Sequence, residues 1–152
     1  MSVKVFDRKL YEECDTFGKA VSKRFMKQEG FELLDDTEAY KSHDLIFVKN
    51  EIPTKVEVEI NRRWNSRYYP YETLTVPYRK RYSKADLYIM ISKNGEALLT
   101  IPMKDVLRAD TIVKDTCFTT QERFFSLPIS AVRFYYLQDG YYYPLETEND
   151  SE

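Results

Sequence analysis

Two stretches, Asp44-Leu45-Ile46-Phe47-Val48-Lys49 and Lys55-Val56-Glu57-Val58-Glu59-Ile60-Asn61, decide how this chain reads. The second alternates strictly. Val56, Val58 and Ile60 face one way, and Lys55, Glu57, Glu59 and Asn61 face the other, which is the period of a β-strand. The first is a short apolar run opened by an acid, and it predicts a neighbouring strand. A turn around Asn50 to Thr54, with Pro53 inside it, joins the two. Paired as neighbours, these strands bring Asp44, Glu57 and Glu59 together near one end of a sheet. Such an oxygen-rich cluster suits Mg²⁺ or Mn²⁺, hard ions that take one or two carboxylates and keep several waters. The same alternation also describes a half-exposed strand whose acids simply face water.

Working outward, residues 7–28 read as an amphipathic helix, with Leu10, Cys14, Phe17, Val21 and Phe25 on one stripe. Asp7 is placed to cap its start, and Gly30 to take the left-handed position just past its end. A short strand, Phe31 to Leu34, follows, and the polar residues 35–43 read as a loop. Beyond the central pair, Leu87-Tyr88-Ile89-Met90-Ile91 is a buried strand within Ala85 to Ser92. Asn94-Gly95 turns the chain back along Ala97 to Ile101. Pro102 opens a short helix over Met103 to Leu107. Asp139-Gly140 is a second hairpin turn, between Ala131–Tyr136 and Tyr141–Tyr143.

The segment from Arg62 to Lys84 keeps no clean period and predicts a loop with a short helix. It holds seven bases, Arg62, Arg63, Arg67, Arg79, Lys80, Arg81 and Lys84, against one acid, Glu72. Trp64, Tyr68, Tyr69, Tyr71, Tyr78 and Tyr82 are interleaved. Guanidinium groups neutralise phosphates and release counterions, while aromatic rings offer surface for stacking bases. Arg62, Arg63, Trp64, Arg67, Tyr68, Tyr69, Arg79, Lys80, Arg81 and Lys84 are therefore the expected nucleic-acid contacts. Tyrosines in such a segment also pack into cores, which is the plainer alternative.

A helix, a strand opened by an acid, a strand with Glu-x-Glu and then a basic segment resembles the PD-(D/E)XK nuclease superfamily. The matching residues are Asp44 and, after twelve intervening residues, Glu57-Val58-Glu59, within a resemblance covering about residues 7 to 92. It implies an α/β fold, with a central mixed β-sheet flanked by helices. It also implies Asp44, Glu57 and Glu59 as ligands of Mg²⁺ or Mn²⁺ for phosphodiester hydrolysis. Glu59 stands where most of the superfamily has lysine, although some restriction endonucleases use Glu-x-Glu. Lys55, Lys80 and Lys84 are the nearby lysines able to replace it. Many members add an acid from the first helix, and Glu13, at the edge of the apolar stripe, is the candidate here. Some pair up to cut both strands, so a homodimer is an arrangement the resemblance allows.

The remaining composition narrows the classes. The chain has 152 residues, 43% apolar and 32% charged, which suits one globular domain over residues 1–145. Its tail, 146–152, holds four acids and no base, and the rest carries 23 bases against 21 acids. No run approaches the roughly 18 apolar residues of a membrane span, and the N-terminus lacks a signal-peptide core. A cytoplasmic protein is expected. One histidine, His43, and two cysteines, Cys14 and Cys117, leave no zinc site or histidine-based triad. The expected partner is DNA or RNA, either as a substrate to be cut or as the ligand of a non-catalytic binding module.

Overall fold

The computed structural model describes residues 8–35, 45–116 and 120–145. Asp7, His43, Asp44, Cys117 and the acidic tail, together with most of the loop expected over residues 35–43, lie outside the described residues. In chain order the elements are α1 (Arg8–Gln28), β1 (Glu32–Asp35), β2 (Leu45–Lys49), β3 (Ile52–Asn61) and β4 (Thr73–Pro77). A 3₁₀ helix (Tyr78–Tyr82), β5 (Leu87–Ser92), β6 (Ala97–Pro102), α2 (Met103–Leu107) and β7 (Asp110–Lys114) follow. β8 (Glu122–Pro128), β9 (Arg133–Gln138) and β10 (Tyr141–Pro144) complete the order.

Among the described residues the strands form a seven-stranded sheet, β1-β2-β3-β5-β6-β9-β10, and a three-stranded sheet, β4-β8-β7. The large sheet is mixed, because β3 and β5 run parallel while the other neighbours are antiparallel. The α/β architecture with a central mixed sheet is thus the one expected. No helix among the described residues is long and apolar enough to cross a membrane.

α1 ends as its sequence dictates. Gly30 takes φ +90°, its N–H donates to Lys27 O at 3.0 Å, and the Phe31 N–H donates to Met26 O at 2.9 Å. These two bonds close a Schellman motif, whose left-handed position favours a residue without Cβ. The apolar stripe of α1 then lies on the large sheet. Val21, Phe25 and Met26 pack with Phe47, Val56, Ile89, Leu98 and Tyr135; each such buried side chain contributes about 1.5–3 kcal/mol. α1 approaches β3 closely at Gly18, where an added Cβ would sit 3.1 Å from Val58 Cγ1. The last residue of the helix also serves the sheet. Gln28 Nε2 donates to Tyr142 O at 2.7 Å, and the Tyr142 N–H donates to Gln28 Oε1 at 2.7 Å, along the outer edge of β10.

The opposite face of the sheet carries a second core. Tyr88, Met90, Leu99 and Ile101 meet Leu74 and Val76 of β4 and Phe125 and Leu127 of β8. Two parallel neighbours cannot be joined by a hairpin, so the chain between β3 and β5 has to cross one face of the sheet. That crossing is the basic segment. It is more ordered than expected, since residues 73–77 form β4, antiparallel to β8, with Leu74 opposite Leu127 and Val76 opposite Phe125.

The turn before β3 is shorter than expected. Asn50 and Glu51, at φ 52° and 66°, complete it alone, and Pro53 lies in the strand opposite Val48. Pro53 is tolerated because β5 begins to pair only at Val56, so the missing N–H faces no neighbour.

Candidate functional site

β3 separates its side chains as the alternation requires. Val56, Val58 and Ile60 pack against α1's core, and Glu57 and Glu59 project from the other face, under the crossing segment. Parallel register places Tyr88 beside Glu57 and Met90 beside Glu59. Glu57 is buried, at 6% exposure, an expensive place for a carboxylate unless it is paired. Lys80 Nζ donates to its Oε2 at 2.8 Å, and Ser83 Oγ donates to its Oε1 at 3.3 Å. Glu59 accepts a hydrogen bond from the Tyr88 hydroxyl.

Tyr88 is fully buried. Burial and then the neighbouring Glu59 carboxylate push its pKa well above the usual tyrosine value, so its proton stays in place as the donor. Tyr69, whose hydroxyl donates to Thr73 O at 3.0 Å, is pushed up to about 12 by burial, then by Tyr71 and Glu59. The site thus gathers two acids, a lysine and protonated hydroxyls on one side of the sheet.

Asp44, the third expected carboxylate, lies outside the described residues; its successor Leu45 pairs with Val56, the residue before Glu57. Among the described residues, no group of three or more His, Cys, Asp or Glu gathers to hold a metal ion. Glu13 therefore does not join Glu57 and Glu59. It is exposed on α1, the helix that covers the opposite face of the sheet.

The basic segment divides. Arg62, Arg63, Arg67, Tyr68, Arg79, Arg81 and Lys84 are exposed, as contacts to a ligand should be. Trp64 is not: it is 0% exposed, edge-on to Tyr69 at 5.1 Å and to Phe134 at 6.2 Å. Its size and apolar body seat it in the second core, so it cannot stack on a base. Tyr69 is half-buried in the same aromatic group. Lys80 is turned inward to Glu57, with its side chain 23% exposed. Arg67 lies 4.0 Å from the Tyr136 ring centroid, and Arg81 lies between the rings of Tyr78 and Tyr82 at 4.4 and 4.2 Å.

Sequence reasoning missed Tyr88 and Ser83. Tyr88 read only as part of an apolar strand, and its face follows from a parallel register that no local pattern reveals. Ser83 follows the 3₁₀ helix and had no signal beyond its proximity to Lys80.

No family model and no curated protein matches this sequence. Among solved structures, the chain is similar to a bacterial homing endonuclease, I-Ssp6803I, at 16% identity and a TM-score of 0.51. The likeness covers 80% of this chain and 75% of the other. Likeness at that identity speaks for the architecture, and by it the chain has a nuclease-like α/β fold.

Proposed function

We propose that this protein binds nucleic acid and hydrolyses its phosphodiester bonds with Mg²⁺ or Mn²⁺. The observation that carries this reading is Lys80 on Glu57 at 2.8 Å, beside Glu59. Acid, acid and lysine are the elements of the motif that Asp44 and Glu57-Val58-Glu59 resemble. Here the lysine comes from the 3₁₀ helix instead of strand position 59. The neighbouring fold is that of an endonuclease by its name, which favours the same reading.

The donor chemistry fits a hard divalent ion. Glu57 and Glu59 offer oxygens from alternate positions on one strand face, and Asp44, adjacent in sequence to Leu45, is the proposed third ligand. A bound ion would lower the pKa of a water and neutralise charge on the phosphate. Lys80 orients Glu57 and sets a positive charge beside the carboxylates, and Tyr88 holds Glu59 with a proton it does not give up. Arg79, Arg81 and Lys84 on the rim hold the phosphates of the strand.

A second reading has its own observation. Lys80 and Ser83 already hold both oxygens of Glu57, and Tyr88 donates to Glu59, from within the protein; carboxylates partnered this way do not need an ion to hold them in place. Under it the chain is a binding module.

The test is incubation with single- and double-stranded DNA and RNA, with either ion. Cleavage is expected, lost in Glu57→Gln, while affinity in EDTA holds or rises because one negative charge facing the phosphates has gone. Intact substrates throughout, from a protein that binds them, leave the binding module.

A further inference from the structure

We infer that Tyr82, Arg81, Tyr78 and Arg123 form a stacking site for an unpaired base of the bound strand, at the rim of the Glu57 carboxylate. This rests on the nucleic-acid reading above and adds a substrate feature and a contact from the second sheet.

The four side chains alternate ring and guanidinium. Arg81 lies 4.2 Å from the Tyr82 ring and 4.4 Å from the Tyr78 ring. Its Nη1 donates to Tyr78 O at 3.1 Å, and its Nη2 donates to the Tyr82 hydroxyl at 2.8 Å. Arg123 of β8 continues the series 5.7 Å from the Tyr78 ring, steadied by its Nη1 donating to Thr111 Oγ1 at 3.1 Å. Tyr78 is anchored below by Phe125, with ring centroids 5.1 Å apart. Thr111 of β7 and Phe125 of β8, on neighbouring strands of the three-stranded sheet, thus hold the series in place, and a ligand meets groups already ordered.

Tyr82 ends the series in solvent. It is 72% exposed although Arg81 lies over its ring, so no core packing accounts for its position. Arg79 and Lys84 are exposed on either side, and the Glu57 carboxylate beneath is matched by Lys80. Positive charge favours a polyanion, and an exposed ring backed by a cation favours a flat unsaturated group. A nucleotide whose base is unpaired supplies both. A base inside a duplex is stacked on both faces and offers none to Tyr82.

The experiment measures affinity in EDTA for a single strand and for a blunt duplex of the same sequence, as DNA and as RNA. Tyr82→Ala is expected to weaken single-strand binding about 5- to 150-fold and to leave blunt-duplex binding nearly unchanged. Tyr82→Phe, which keeps the ring, stays within about threefold of wild type. Arg123→Ala lowers the slope of log affinity against log salt by about 0.7 on the single strand. Matched thermal melts of the variants exclude unfolding as the cause. Unchanged single-strand affinity in Tyr82→Ala, or an equal loss on strand and duplex, overturns the stacking site alone. A wild-type protein that binds neither overturns the nucleic-acid reading itself.

Discussion

Lys80 and Glu57 are 23 residues apart in sequence and 2.8 Å apart in space, because β3 and β5 run parallel. The chain leaving β3 must cross the sheet before it can return beside that strand, and the crossing carries Lys80 over the face where Glu57 projects. A basic segment and an acidic strand, adjacent in sequence, become the two sides of one site.

That pairing sets the first prediction. Lys80→Ala leaves a carboxylate whose side chain is only 8% exposed without its ammonium partner. Breaking a buried pair from one side costs about 3–5 kcal/mol, and the partial exposure of Lys80 brings the expected loss to about 1–3 kcal/mol. Urea unfolding of Lys80→Ala, Glu57→Gln and the double variant checks it. The double variant should be more stable than Lys80→Ala alone.

Alkaline stability should report Tyr88. Burial and Glu59 raise its pKa above the ordinary value of 10.0. Below that pH the tyrosine is protonated in both states and nothing changes. Above it the unfolded chain ionises while the folded one does not, so stability falls as pH rises. Tyr69, raised to about 12, adds a loss of the same sign. Urea melts at about pH 9 and pH 11 should show the fall in wild type and a shallower one in Tyr88→Phe.

Gly18 is the contact point of α1 and β3. Alanine there gains about 1 kcal/mol of helix propensity, and its Cβ meets Val58 Cγ1 at 3.1 Å, so the two effects should nearly cancel. Gly18→Leu has no such compensation and is expected to lose about 1–3 kcal/mol through overpacking. Thermal melting of the two variants separates them; equal melting temperatures would mean that α1 shifts freely on the sheet.

Trp64 offers a check on the burial of the basic segment's largest ring. Its Nε1 is buried without a hydrogen-bond partner, so Trp64→Phe removes an unsatisfied donor and should cost less than the about 3–5 kcal/mol of Trp64→Ala. Neither the wild-type indole emission nor its resistance to acrylamide quenching should change greatly on adding nucleic acid. Strong quenching by a bound strand would place Trp64 at the interface.

What was legible in the sequence was local. The end of α1 at Gly30, the alternation of β3, the hairpins at Asn94-Gly95 and Asp139-Gly140 and the short helix after Pro102 are each written within a few residues. β4 was not legible, because Leu74 and Val76 gain their meaning from Phe125 and Leu127 of β8, about fifty residues on. The same non-locality separates Trp64 from Tyr82. Both are aromatic residues among arginines, yet one fills the core between two sheets and the other stands in solvent. Glu57 and Glu59 were legible as a pair, but their partners Lys80 and Tyr88 depended on a crossover and a parallel register.

The amide of Gln28 has one more effect. By taking both the N–H and the C=O of Tyr142, it occupies backbone groups that an edge strand would otherwise offer to another chain. Strand-to-strand aggregation along β10 is blunted by a helix terminus of the same molecule, despite the exposed tyrosines beside it. A Gln28→Ala protein would reopen that edge, so self-association in its solutions would be read first at this side of the sheet.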